Sequence, residues 1–129
     1  MHIEHIAVWT DQLEQMKNFY ERYFRASAGM RYENPTKQIA SYFLSFSSGS
    51  RLEILSHLNV PDSDLQASGQ QRVNFHIAIS VGSEEAVNGL TAQIKNDGFQ
   101  VVDGPRRTGD GYYESVILDP DGNQVEITV

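Results

Sequence analysis

Four side chains in this sequence have the type and setting to hold or move charge. "EHIAVW" and "FHIAIS" place His5 and His76 in the same His-Ile-Ala tripeptide, and "RLEIL" and "QVEI" place Glu53 and Glu126 between apolar neighbours. Imidazole nitrogen and carboxylate oxygen suit nickel, cobalt, zinc, manganese or iron. Four such donors leave one or two positions on a six-coordinate ion for water or substrate. Without a metal, two carboxylates facing one pocket repel, and one of them tends to keep its proton. The chain has no cysteine, which excludes disulfides, thiolate metal sites and cysteine nucleophiles.

The spacing shows where the two pairs come from. "EHIAVWTDQLEQMKNFYERYF" and "FHIAISVGSEEAVNGLTAQIKNDGF" share one grammar: His-Ile-Ala, a short strand, a polar helix start, and an amphipathic helix followed by an aromatic residue. Each is followed by a hairpin whose second arm carries the glutamate, Glu53 coming 48 positions after His5 and Glu126 coming 50 after His76. Self-similarity of this kind marks a repeated structural unit.

Each repeat reads β-α-β-β-β. In the first, residues 1–57, the pattern predicts a strand over 2–9 and a helix over 11–24, with Asp11 and Glu14 spaced as a capping box. Leu13, Met16, Phe19, Tyr20, Tyr23 and Phe24 form the apolar stripe of that helix. Strands are expected at 28–33, 40–46 and 51–57, the last two joined by "SSGS". In the second repeat, residues 73–129, a strand over 73–81 leads to a helix capped by Ser83 and stopped by Gly98. Its stripe is Ala86, Val87, Leu90 and Ile94, and strands follow at 99–103, 112–118 and 124–129 around "DPDGN". Residues 58–72 have the composition of a linker. The fold class expected is α+β, with two βαβββ modules in a single domain.

Side-chain alternation then sorts the faces. Ile6 and Val8 are assigned to the first helix, leaving His5, Ala7 and Trp9 opposite. Ile77 and Ile79 oppose His76 and Ala78 in the same way. Leu52 and Ile54 lie under the helix while Arg51, Glu53, Leu55 and His57 face away, as Glu126 does. Glu114 and Val116 share the face of Glu126, and Glu114 reads first as a rim carboxylate in water. Trp9, Tyr42, Leu44 and Phe46 are candidates for an apolar pocket wall, and His57 for the pocket mouth. "GPRRTGDGYYES" reads as a glycine-flanked lid whose Arg106 or Arg107 holds an anionic group.

Composition narrows the partners. The net charge of −7 and a pI near 4.9 disfavour nucleic acid and anionic membranes, which require a concentrated basic surface. The opening "MHIEHIAVWT" is neither a signal peptide nor a membrane span, so a cytoplasmic protein acting on a small molecule is expected. Open half-modules with apolar residues such as Phe43 and Tyr113 on their outer surfaces point to a homodimer.

"HIEHIAVW", "RLEIL", "FHIAISV" and "LDPDGNQVEI" resemble the four metal-ligand segments of the vicinal oxygen chelate superfamily, which includes glyoxalase I, extradiol dioxygenases and bleomycin-resistance proteins. The resemblance spans nearly the whole chain, and "DPDG" close before the last glutamate is its most specific part. It implies paired βαβββ modules and assigns His5, Glu53, His76 and Glu126 as ligands of one divalent metal per site. A full His-Glu-His-Glu set is the glyoxalase I pattern, whose chemistry is proton transfer beside a chelated carbonyl with Glu53 or Glu126 as base. The short chain is similar to insert-free bacterial glyoxalases, which favours nickel or cobalt over zinc, manganese or iron. Two other functions belong to the same superfamily: an Fe(II) ring-cleavage dioxygenase, which uses two histidines and one carboxylate, and a metal-free binding protein of the bleomycin-resistance kind.

Overall fold

A computed structural model of the chain describes residues 1–58 and 76–129. It divides into two compact units, Met1–Val73 and Asn74–Val129. The expected linker, beyond Leu58, and residues 73–75 of the expected strand lie outside the described residues.

The first unit runs β1 (His5–Trp9), α1 (Leu13–Phe24), β2 (Ser27–Ala28), β3 (Tyr32–Asn34), β4 (Ile39–Ser45) and β5 (Arg51–His57). Its sheet has the order β1-β5-β4-β2, with β3 also paired to β4. β1 and β5 are parallel, because the helix and the strands between them return the chain to the same end of the sheet before β5 begins. β4 pairs antiparallel with β5 as a hairpin joined by residues 46–50. α1 forms because its apolar residues recur at three- and four-residue intervals. All six of the expected stripe, from Leu13 to Phe24, are buried. They pack on β5, β4 and β2 against Leu44, Leu52 and Ile54.

The second unit repeats the plan with β6 (His76–Ser80), α2 (Glu84–Asn96), β7 (Val101–Arg107), β8 (Tyr113–Leu118) and β9 (Gln124–Thr128). The sheet order is β6-β9-β8-β7, and β6 and β9 are the parallel pair. Ser83 Oγ caps α2 by accepting the Ala86 N–H at 3.2 Å, and Glu84 and Glu85 occupy the first turn, where the helix dipole favours acids. Gly98, at φ +94, ends the helix in the left-handed conformation that glycine adopts without a Cβ penalty. Val87 and Ile94 of this helix and Ile117, Val125 and Ile127 of the sheet beneath it are fully buried. Between β8 and β9 the Asp119 carboxylate accepts the backbone N–H groups of Asp121 and Asn123, both at 2.9 Å. This closes the "DPDGN" turn and sets the register of β9. The fold is of the α+β class, with one helix against each of two mixed sheets among the described residues.

Several expectations require correction. β1 begins at His5 rather than residue 2, and the expected 28–33 strand is split into β2 and β3. The Asp11/Glu14 capping box is absent. Gln12 is the N-cap without a side-chain cap bond, its N–H bonds Thr10 Oγ1 at 2.9 Å, and the Glu14 carboxylate is taken by Arg31 and Tyr42. Ile6 is 43% exposed, because α1 rests on β5, β4 and β2 and leaves the edge strand largely uncovered. In α2 the buried residues are Val87, Thr91 and Ile94; Ala86 and Leu90 are only half-buried. Thr91 can be buried because it donates to the Val87 carbonyl at 2.6 Å and shares a 2.6 Å bond with the Ser115 hydroxyl.

Candidate functional site

In the first unit, β1 pairs His5 with Arg51, Ala7 with Glu53 and Trp9 with Leu55, while β4 places Phe43 opposite Glu53 and Ser41 opposite Leu55. Paired residues share a face, so all of these lie on the side away from α1. His5 Nε2 stands 3.7 Å from a Glu53 oxygen. Its Nδ1 is 2.5 Å from Glu4, and Glu4 also accepts from Arg51 Nε at 2.7 Å. The bonds to His5 and then to Arg51 hold the Glu4 carboxyl below its ordinary pKa. A carboxylate at Nδ1 is the kind of partner that orients a metal-ligating imidazole through its other nitrogen. Phe43 meets His5 edge-on, centroids 5.2 Å apart, and the Arg51 guanidinium covers Phe43 at 4.2 Å. Four residues beyond His5 and Glu53 on their strands, Trp9 and His57 stack at 4.4 Å and 15°.

The second unit repeats this register: Ala78 pairs with Glu126 and His76 with Gln124, while β8 sets Val116 opposite Glu126 and Glu114 opposite Thr128. His76 Nε2 lies 2.9 Å from Glu126 Oε1. Glu114 is 8% exposed, not a rim carboxylate. Burial first, and the charge of Glu126 second, raise its pKa against the opposing pull of Arg106. Arg106 Nη1 is 3.9 Å from Glu114, and Asp103 holds the Arg106 Nε at 2.5 Å.

Each His–Glu pair offers two donors of the kind that suit a divalent ion. Donors each about 2.1 Å from an ion stand about 3.0 Å apart at a right angle and about 3.4 Å apart at a tetrahedral one. The 2.9 and 3.7 Å separations lie close to that range. Taken by itself, neither unit gathers three His, Asp or Glu side chains into a metal-holding group among the described residues. A hollow of about 320 Å³ opens at the start of α1, lined by Gln12, Leu13, Arg31, Ala40, Ser56 and His57 among others. It includes neither His5 nor Glu53, so the ligand-type groups stand on the open sheet face and not in that hollow.

Other candidates fall elsewhere. Tyr42 and Leu44 pair with Ile54 and Leu52 and therefore belong to the helix side. There the Tyr42 hydroxyl donates to Glu14 at 2.9 Å, and neither residue walls a site beside Glu53. Phe43 takes that place and is not an outer-surface residue. Arg106 and Arg107 belong to β7 rather than to a lid, and Arg107 is turned to Glu84 and to the Tyr113 ring. Thr108 and Tyr112 close the remaining turn, with a 2.8 Å backbone bond and a 2.9 Å bond from the Tyr112 N–H to Thr108 Oγ1. Val116, His57, Trp9 and Glu114 do lie on the expected faces. Glu4, Phe43, Arg51 and Asp103 are additions that sequence reading missed. Glu4 carried a signal in its adjacency to His5, and Arg51 in the alternation that puts it on the Glu53 face.

A family model described as the Glyoxalase/Bleomycin resistance protein/Dioxygenase superfamily matches residues 2–127. Similar solved structures include the trypanothione-dependent glyoxalase I of Leishmania major, 19% identical over 99% of this chain and 86% of that one, with a TM-score of 0.76. A possible glyoxalase from Bacillus cereus is 22% identical over 100% and 99%, with a TM-score of 0.72. A lactoylglutathione lyase from Agrobacterium tumefaciens is 18% identical over 98% and 91%, with a TM-score of 0.68. At these identities the likeness is one of fold. No curated protein matches the chain. Among the described residues no helix is long and apolar enough to cross a membrane.

Proposed function

The chain belongs to the Glyoxalase/Bleomycin resistance protein/Dioxygenase superfamily, and from that premise we propose that it is a divalent-metal-dependent lyase or isomerase of the glyoxalase I kind. Its reaction moves a proton between neighbouring carbons of a small substrate with two adjacent oxygens, such as a hemithioacetal or hydroxy-carbonyl compound. The observation that carries this reading is the recurrence of one imidazole and one carboxylate at equivalent register positions in both units. His5, Glu53, His76 and Glu126 would hold the ion. Nickel or cobalt is the first choice, in keeping with the short, insert-free chain; zinc, manganese and iron suit the same donors. When bound, the ion offers positions to the two substrate oxygens and stabilises the negative charge that develops as the C–H proton leaves.

The remaining work falls to the chain itself. Glu53 and Glu126 are the candidate bases, each able to accept the proton at a carboxylate oxygen and return it to the adjacent carbon. His5 and His76 orient them. Phe43 and Val116, directly across the strands, shield them from water and strengthen their electrostatic interactions. A second carboxylate in the donor set argues against the Fe(II) dioxygenase, which needs that position for oxygen, and a metal-free binding protein has no use for four donors. A homodimer accompanies this reading.

Glu53→Gln and Glu126→Gln are each expected to reduce turnover at least about hundredfold, with metal retained in at least one variant, since the amide coordinates weakly but accepts no proton. Metal analysis, light scattering and deuterium incorporation at the substrate carbon provide the measurements. Ring cleavage of a catechol by the Fe(II) form, with no exchange by any metal form, would replace the isomerase by the dioxygenase. A protein that binds its ligand equally well without metal would be the bleomycin-resistance type.

A further inference from the structure

We propose that the stacked Trp9–His57 pair is a platform for a planar aromatic substituent, so that the site prefers aryl over methyl compounds carrying two adjacent oxygens. This rests on the reading above and names the substrate class it would take. Trp9 lies on the His5 and Glu53 face, separated from His5 along β1 only by Ala7, whose methyl leaves the interval open. Trp9 follows Ala7, the strand partner of Glu53, by two residues of extended strand, about 6.6 Å, and follows His5 by four, about 13 Å. A phenyl group on a carbonyl held beside Glu53 extends toward the indole, whereas a methyl group ends well short of it.

The ring is prepared for such a contact. His57 covers one side of Trp9 at 4.4 Å and 15°, while the residue remains 43% exposed. The indole is thus braced on one side and open on the other. Parallel, offset stacking of π faces is the geometry aromatic rings favour, and a braced ring loses little rotamer freedom when a ligand arrives. A packing role alone would set the indole toward α1, where the other large aromatic rings of this unit, Phe19, Tyr20, Tyr23 and Phe24, are buried. The second unit has no counterpart, since Ser80, paired with Thr128, occupies the register position of Trp9.

Trp9 is the only tryptophan of the chain, so the single indole N–H signal in a ¹⁵N spectrum and the tryptophan emission both report on the platform. Benzohydroxamate and acetohydroxamate are suitable probes because both chelate through two adjacent oxygens and differ only in phenyl against methyl. With zinc-loaded protein, benzohydroxamate is expected to bind at least about fivefold more tightly, shift the indole signal and change Trp9 emission. Trp9→Ala should bring the ratio close to one, and Trp9→Phe should keep most of it. Equal metal-dependent affinity for both probes, or a ratio unchanged in Trp9→Ala, overturns the platform and leaves the metal reading standing. An indole shift by benzohydroxamate alone, in protein that holds no metal, supports the platform and removes the metal reading. Silence of the indole signal with both probes, in metal-free and zinc-loaded protein alike, overturns the platform.

Discussion

The two units place the same His–Glu pair on the same strand frame, yet the neighbours of that pair differ in kind. Opposite Glu53 stands Phe43, and opposite Glu126 stands Val116. At the next position on the central strand, the first unit has Ser41 and the second Glu114. Trp9 corresponds to Ser80, and Arg51 to Gln124. The first face is aromatic, with its arginine drawn onto Glu4 and the Phe43 ring. The second is ionic, with Glu114, Arg106 and Asp103 grouped beside Glu126. The repeat keeps the positions that register dictates, while the surroundings differ: one face is aromatic and the other ionic.

Loss of a metal donor should have the largest effect, and it also tests how far the two pairs are equivalent. His76→Ala and Glu126→Ala should weaken metal binding by more than the roughly 10- to 100-fold that loss of a supporting hydrogen bond costs a metal site. Glu4→Gln, which touches only the first pair through His5 Nδ1, should fall near the lower end of that range. Isothermal titration with zinc, checked by elemental analysis, measures both. If Glu4→Gln is as damaging as His76→Ala, the first pair depends on its support in a way the second does not.

Stability should separate the units next. A Cβ added at Gly104 would lie 2.6 Å from the Glu114 carbonyl oxygen and 2.9 Å from the Ser115 Cα, at a φ of +78. Both obstacles are backbone, so Gly104→Ala should cost about 2–4 kcal/mol and disturb the β7–β8 pairing that presents Arg106 and Glu114. At Gly29 of the first unit the nearest atom to such a Cβ is the Phe43 carbonyl oxygen at 3.7 Å, an ordinary contact. Gly29→Ala should therefore stay within about 0.5 kcal/mol. Urea denaturation of the two variants makes the comparison, with amide exchange in β8 locating the damage.

The smallest effect is a pH dependence confined to the second unit. The raised pKa of Glu114 means that the folded chain binds its proton more tightly than the unfolded chain does. Its contribution is complete below the ordinary value of 4.5 and is lost as pH rises through that value toward the raised one. Glu114→Gln should consequently raise the melting temperature of the metal-free protein at pH 7 relative to wild type, with the gain shrinking toward pH 4. Loss of the neighbouring Arg106 contact works against this gain and keeps it small. Equal shifts at both pH values would show that Glu114 titrates normally.

Much of this was legible along single strands. The alternation in "RLEIL" and "QVEI" put Glu53 and Glu126 away from the helices, and β5 occupies the residues expected of it. What failed depended on relations between strands. Tyr42 and Leu44 were set beside Trp9, whereas the Leu44–Leu52 pairing turns them under α1 and brings Phe43 to the site. The "GPRR" segment reads as a loop because proline and glycine interrupt strands. Here it belongs to β7, at the end of its sheet, a place where strands tolerate proline, and the register shifts between Val101, Asp103 and Arg106 absorb the irregularity. The Asp11/Glu14 capping box failed for a similar reason: partners distant in sequence, Arg31 and Tyr42, compete for Glu14.

Local periodicity and duplication, both properties of the chain itself, were enough to determine the βαβββ repeat, the buried stripe of α1 and the face carried by each His and Glu. The tertiary structure alone decided which side chains surround those four residues: Phe43 across from Glu53, Trp9 braced by His57, Glu114 buried beside Arg106. The physical reason is that alternation assigns faces only within a strand, modulo a choice of two. Register across a sheet settles that choice through hydrogen bonds and burial between residues far apart in sequence.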